Sequence, residues 1–419
     1  MDLLSINGRK KLFGDINISG SKNASLPMMI ASLLTEEQII LRKIPQLSDV
    51  QTLISILDSL GSKINITANS IKLKTKEIIN HQAAYKLVKK MRASFWVLGP
   101  LIARTGYAEV SLPGGCAIGT RPIDIYLKML KKMKVNIAIE DGYVIAKTNK
   151  EIKSIDFKLE KESVGCTHFF LMLTVLADGT SHLSNAACEP EIIALGKMLN
   201  EMGAKIKGLG TKEITVKGVN KLKGVTIEIP PDRIETGTYA IALAATGGEI
   251  NLKNTRHKEI SLLLKLLKKT GVQIKTSTNS IKLKKLDEEI FPVNIDTRPY
   301  PGFPTDLQAQ MMSLVALSNG ESTIKENIFE NRFMHVQELV RLGANIKLNG
   351  DKAIIKGSKE LIGANVMATD LRASASLVIA GLAAKGKTTI SRIYHLDRGF
   401  YNLEKKLNNC GASIKRIKE

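Results

Sequence analysis

A short phrase returns six times along the 419 residues, and it limits the possible folds more than any other feature of the chain. Each copy follows an amphipathic stretch and runs through glycine, replaced by Lys134 in the second copy, and two further residues to isoleucine. The copies are Leu60-Gly61-Ser62-Lys63-Ile64, Met133-Lys134-Val135-Asn136-Ile137, Met202-Gly203-Ala204-Lys205-Ile206, Thr270-Gly271-Val272-Gln273-Ile274, Leu342-Gly343-Ala344-Asn345-Ile346 and Cys410-Gly411-Ala412-Ser413-Ile414. Measured between positions 61, 134, 203, 271, 343 and 411, the intervals are 73, 69, 68, 72 and 68 residues. Glycine after a helix suits a left-handed cap, and the alternating residues that follow suit a strand. Ahead of each phrase lies a further common pattern of apolar helix, small turn, strand, loop and second helix. A period of about 70 residues exceeds the usual solenoid range, so each copy is a subdomain rather than one turn of a stack. The clusters Ser19-Gly20-Ser21-Lys22-Asn23 and Ile229-Pro230-Pro231-Asp232-Arg233 mark crossovers between two halves of three units each. The predicted class is α/β, in two domains of three repeats.

Length alone also favours more than one core. Hydrophobic residues make up 44% and charged residues 24%, the profile of a globular chain. The N-terminal run lacks the basic, apolar and small-residue order of a secretory signal, so a cytoplasmic location is expected. The most apolar runs, 169–177 and 374–384, fall short of the roughly 20 residues needed to cross a bilayer and read as buried helices. Cys116, Cys166, Cys188 and Cys410 are widely spread without metal-ligand spacing, so reduced thiols and no metal site are expected. The net charge of +21 would attract polyanions. The lysines are scattered, however, aromatic residues make up 5%, and no nucleic-acid signature appears. No nucleic-acid partner is therefore expected; a polyanion-binding protein without catalysis is the competing class.

Several short segments carry chemistry. Cys116 lies in a loop with Pro113, Gly114, Gly115 and Gly119, and Arg121 is close enough in sequence to stabilise a thiolate; the alternative is an incidental loop cysteine. Lys22 and Asn23 stand where a Gly/Ser turn enters an apolar helix, a position suited to phosphate or to simple solvation. Arg92, Arg332, Arg372 and Arg398 lie at loop or helix boundaries, where their planar forks fit carboxylates and phosphates as well as surface ion pairs. Asp306 follows Tyr300-Pro301-Gly302-Phe303-Pro304-Thr305 into a helical run, as a capping carboxylate or a general base.

Together, Ser21-Lys22-Asn23-Ala24, Met91-Arg92-Ala93-Ser94, Gly114-Gly115-Cys116-Ala117-Ile118-Gly119-Thr120-Arg121-Pro122, Pro231-Asp232-Arg233-Ile234-Glu235-Thr236-Gly237-Thr238, Gly302-Phe303-Pro304-Thr305-Asp306, Glu330-Asn331-Arg332-Phe333 and Asp370-Leu371-Arg372-Ala373-Ser374 resemble, in order, the signatures of the enolpyruvyl transferases. The Cys116 loop and the run Lys161-Glu162-Ser163-Val164-Gly165 resemble the branch acting on UDP-N-acetylglucosamine rather than the branch acting on shikimate 3-phosphate, which remains the alternative. The resemblance implies an inside-out α/β barrel of six βαβαββ units, with residues 22–229 forming one domain, residues 1–21 plus 230–419 the other, and the active site in the cleft between them. It implies that Lys22, Arg121 and Arg398 hold the phosphate of phosphoenolpyruvate and that Arg332 and Arg372 face its carboxylate. Asn23, Arg92, Arg121, Pro122, Ile123, Asp124, Ile125, Lys161, Glu162, Ser163, Val164, Ile328 and Asp370 belong to the implied substrate-binding set. Asp306 would be the base at the sugar 3-hydroxyl, and Cys116 an acid or an aid to product release on a lid. No cofactor is implied, and the oligomeric state is open.

Three positions depart from the family pattern. Cys166-Thr167-His168-Phe169 replaces the usual small-Thr-Glu-Asn run, Ile125-Tyr126 replaces a Leu-His pair, and Lys134 stands in place of a turn glycine.

Overall fold

The computed structural model describes residues 2–114, 123–148, 151–287 and 289–418. They fall into two compact units, one of residues 2–19 with 231–418 and the other of residues 20–114 with 123–230. The described strands form six four-stranded sheets. Every sheet has one parallel pair and two antiparallel pairs. In the sheet of Tyr107–Ser111, for example, Gln82–Ala83 runs parallel to that strand, Tyr143–Lys147 antiparallel to it, and Asn136–Glu140 closes the far edge.

Three sheets join strands far apart in sequence. Val225–Glu228 lies parallel to Ile39–Arg42, and Leu12–Asn17 parallel to Gly248–Lys253. Asp2–Asn7 sits between Lys387–Ser391 and Ile414–Lys418, antiparallel to both.

The most apolar helices are enclosed almost completely. In the unit containing residues 231–418, Arg233–Thr246, Gln308–Val315 and Leu371–Ala383 are buried along nearly their whole lengths. Apolar residues on every side leave no face for solvent. Some of the polar groups these helices carry inward bond between helices, while both amide atoms of Gln308 are buried without a hydrogen-bond partner among the described residues. Ser313 Oγ donates to the Ser376 carbonyl at 2.8 Å, and Gln310 Nε2 to Thr238 Oγ1 at 3.2 Å. In the other unit, Lys22–Ile30 and Val164–Thr174 are buried in the same way. Among the described residues no helix is long and apolar enough to cross a membrane.

The six repeated phrases close amphipathic helices with one shared geometry. In the third copy the Ala204 N–H donates to the Leu199 carbonyl and the Gly203 N–H to the Asn200 carbonyl, both at 2.9 Å. The same two bonds recur from Ser62 and Gly61, Val135 and Lys134, Val272 and Gly271, Ala344 and Gly343, and Ala412 and Gly411. This is the Schellman arrangement, which satisfies the helix's last carbonyls and requires a positive φ at the turning residue. The φ values are 108°, 61°, 103°, 99°, 92° and 93° in chain order. The second belongs to Lys134, whose Cβ makes the left-handed region costly. Lys134→Gly is expected to raise stability by about 1 kcal/mol, read as a higher denaturant midpoint at unchanged slope. An unchanged or lower midpoint would sink the idea.

Candidate active site

In the unit containing residues 231–418, the ends of the buried helices gather charged side chains. Asp232 caps Arg233–Thr246 by accepting from the Ile234 and Glu235 N–H groups at 2.8 and 3.0 Å. Asp370 caps Leu371–Ala383 by accepting from Arg372 and Ala373 at 2.7 and 3.1 Å. A carboxylate at a helix start is favoured by the exposed N–H groups and the positive end of the dipole. Asp370 therefore fixes the turn from which Arg372 departs.

Asp306 does not cap the helix that follows it. It sits in the short 3-10 turn Thr305–Leu307, and its carboxylate reaches across to two arginines. Arg332 Nη2 donates to Oδ1 at 3.0 Å and Arg372 Nη2 to Oδ2 at 2.7 Å. Both guanidinium side chains are nearly enclosed, at 4% and 6% exposure, while Asp306 keeps 26%. Phe329 lies 5.4 Å from the Arg332 guanidinium and Phe400 lies 5.8 Å from that of Arg372, adding cation–π attraction where water is scarce. Behind Arg332, His335 is buried, and desolvation pushes its pKa down to about 4. Two desolvated cations sharing one carboxylate make a strong anion site, because each charge would be costly to bury alone. Arg398, half-buried, ends the short helix Ile393–Arg398, and Ile328 directs its N–H to Glu326.

In the other unit, Lys22 is the first residue of Lys22–Ile30, which Ser21 caps by accepting from the Ala24 N–H at 3.2 Å. Its ammonium lies 2.9 Å from Asp49 Oδ2, with both side chains nearly enclosed. Asn23 follows, half-buried. Arg92 opens the 3-10 segment Arg92–Val97. Ser163 caps Val164–Thr174 through the Cys166 N–H at 3.3 Å, Glu162 pairs with Lys212, and Lys161 is exposed. Ile123 and Asp124 lead into Asp124–Lys132, which also holds Ile125. Cys116, Arg121 and Pro122 lie outside the described residues.

Two of the departures from the family pattern meet in one aromatic cluster. The Trp96 indole N–H donates to the Tyr126 hydroxyl at 3.3 Å, and Tyr126 packs edge-on against Phe169 at 5.0 Å and Phe95 at 5.6 Å. His168 tilts against Trp96 at 5.3 Å. His168 is fully enclosed, and desolvation pushes its pKa down to about 4. His168 and His335 thus bind protons more readily in the unfolded chain. Their neutral forms leave stability intact above the ordinary histidine value of about 6.5, and that stability is lost as pH falls toward about 4. His168→Leu is expected to flatten part of the acid-side fall in thermal midpoint; an unaltered slope would count against it.

Asp49 and Glu326 gave no sequence signal, since each is a single carboxylate outside any motif. The buried Lys22 at a helix start calls for an acidic partner, but the position of Asp49 in sequence is set by the fold, and Glu326 is held by neutral donors that no motif announces. Among the described residues, no group of three or more His, Cys, Asp or Glu is placed to hold a metal ion.

The model of the family described as EPSP synthase (3-phosphoshikimate 1-carboxyvinyltransferase) matches residues 6–407, and the chain belongs to this enolpyruvyl transferase family. Within the family, its close relatives lie in the UDP-N-acetylglucosamine branch. It is 52% identical to UDP-N-acetylglucosamine 1-carboxyvinyltransferase 1 of Mesorhizobium japonicum and 54% identical to UDP-N-acetylglucosamine 1-carboxyvinyltransferase of Bartonella henselae, with 100% of each chain covered in both comparisons. The fold is similar to that of the enolpyruvyl transferase NikO from Streptomyces tendae, at a TM-score of 0.89 and 21% identity over 99% of this chain and 98% of that one. EPSP synthase from Acinetobacter baumannii shares it at a TM-score of 0.77 and 17% identity over 100% of both chains.

Proposed function

We propose that the chain transfers the enolpyruvyl group of phosphoenolpyruvate to the 3-hydroxyl of UDP-N-acetylglucosamine with release of phosphate, the first committed step of peptidoglycan precursor synthesis in the cytoplasm. The observation that carries this reading is the buried pair Arg332 and Arg372, whose forks converge on one carboxylate. Identity above 50% to relatives named for this activity supports the same substrate pair.

In this reading Arg332 and Arg372 hold the substrate carboxylate, and Lys22, Arg121 and Arg398 hold its phosphate. Asn23, Arg92, residues 121–125 and 161–164, Ile328 and Asp370 serve the nucleotide sugar. Asp306 takes the proton of the 3-hydroxyl as that oxygen attacks C2, while C3 accepts a proton. Loss of phosphate and of a proton from C3 then restores the double bond. Cys116 supplies an acid or aids release on a closing lid. Each half of the fold is a set of three βαβαββ units in an inside-out barrel, with residues 22–229 as one domain and residues 1–21 plus 230–419 as the other.

The test is phosphate release from phosphoenolpyruvate with UDP-N-acetylglucosamine, repeated with shikimate 3-phosphate. Release with the nucleotide sugar alone is expected; salt-sensitive nucleic-acid binding without turnover would sink the reading. Cys116 is expected to be alkylated by the epoxide fosfomycin. Cys166, Cys188 and Cys410 are buried, and desolvation raises all three thiol pKa values, so a single adduct should appear in the intact mass. Full activity after exhaustive treatment would argue against a role for Cys116.

A further inference from the structure

Glu326 is 4% exposed and has no ion-pair partner among the described residues. Its charge is held instead by four neutral donors. Oε1 accepts from Thr297 Oγ1 at 2.9 Å, from the Ile328 N–H at 2.9 Å and from the Phe329 N–H at 3.2 Å. Oε2 accepts from Thr305 Oγ1 at 2.9 Å. Thr297 Oγ1 in turn accepts from the Asn327 N–H at 2.8 Å. A buried carboxylate is costly, and an apolar side chain would fill the same space with less desolvation. This carboxylate ties the ends of two paired strands, Ile295–Asp296 and Glu321–Lys325, to the turn that carries Thr305 and to the backbone of Ile328 and Phe329.

Two of those segments lead to the anion site. Thr305 immediately precedes Asp306. Phe329 supplies the ring 5.4 Å from the Arg332 guanidinium, and Arg332 donates to Asp306 at 3.0 Å. The links Asp306, Arg332, Phe329, Glu326 and Thr305 therefore form a closed ring. A shift of the base away from the arginine would break a bond elsewhere in it.

We propose that Glu326 is a positioning residue of the transferase site, setting Asp306 through Thr305 and setting Arg332 through the backbone of Ile328 and Phe329. The proposal rests on the reading of Asp306 as the base and Arg332 as a carboxylate anchor. Glu326 touches neither substrate in this reading; it acts by holding two groups in one register, where small displacements are expensive.

Thr305→Val tests this with little change in shape, because it removes the single link to Oε2. The expected result is a fall in kcat of about 10- to 100-fold, with KM for UDP-N-acetylglucosamine within about threefold of the parent and a displaced acid limb in the pH profile of kcat. Thr305→Ser should restore both kcat and the profile. Glu326→Gln keeps Oε1, and its amide can donate to Thr305, so it should lose less than Thr305→Val. Glu326→Ala leaves four donors without an acceptor and is expected to unfold more readily, so the Thr305 variants carry the test. Parent-like kcat and pH profile in Thr305→Val would overturn the positioning role. Asp306→Asn, measured alongside, separates the two ideas: if it keeps full turnover, the assignment of the base fails, whereas its loss beside an unaffected Thr305→Val overturns Glu326 alone.

Discussion

Asp306→Asn is expected to lower turnover by about 10²- to 10⁴-fold, the usual contribution of a positioned general base, and at the same time to tighten binding of a simple carboxylate. The second effect follows from the geometry. Asp306 occupies both arginine forks, at 3.0 and 2.7 Å, so an incoming carboxylate must displace an internal one. The neutral amide offers one acceptor oxygen and no charge, and it competes poorly. Hydrogen bonds to charged groups contribute about 1.5–3 kcal/mol each, so a gain of about tenfold or more in affinity for pyruvate is expected by calorimetry. Equal or weaker pyruvate binding would show that Asp306 does not compete for these donors. A failure of both proteins to bind pyruvate would remove the carboxylate site itself.

Arg372→Ala is the second large effect. Truncating one partner of a buried, hydrogen-bonded charge pair costs about 2–5 kcal/mol, which corresponds to a fall of about 30- to several-thousand-fold in kcat/KM for phosphoenolpyruvate at saturating nucleotide sugar. Arg372→Lys should recover part of this, since it restores charge without the planar fork. Because Arg372 and Asp306 are in contact, the double variant should lose less than the two single losses combined. An unchanged KM for phosphoenolpyruvate in Arg372→Ala would remove this arginine from the carboxylate site.

The features legible in the sequence were those governed by local backbone chemistry. Five glycines at matching positions announced turns that only a left-handed residue closes, and Lys134 follows the same backbone path with the same two cap bonds. The apolar runs around Phe169 and Leu377 were readable because they carry no charged residue and only isolated hydroxyls, and both lie in buried helices. Long-range pairings were not readable in this way. Nothing in Leu12–Asn17 specifies a partner more than 200 residues away in Gly248–Lys253. The arginines of the anion site could be named singly, but their convergence on Asp306 depends on separate chain segments, and the turn of this carboxylate toward them instead of onto its own helix is set by the fold. Glu326 and Asp49 were silent, because a buried carboxylate is recognisable only by the donors around it.

The central place of Asp2–Asn7 in its sheet has a consequence for synthesis. Its two neighbours are Lys387–Ser391 and Ile414–Lys418, so this strand has no hydrogen-bonding partner until those later segments are translated. At about 5–20 residues per second, that is a wait of roughly 20 to 80 seconds. The strands of the unit spanning residues 20–230 are all translated before residue 230, and it can form its sheets in the meantime. During this interval the segment Asp2–Asn7 carries Leu4 and Ile6, which are fully buried in the finished fold, with both of its strand edges unpaired.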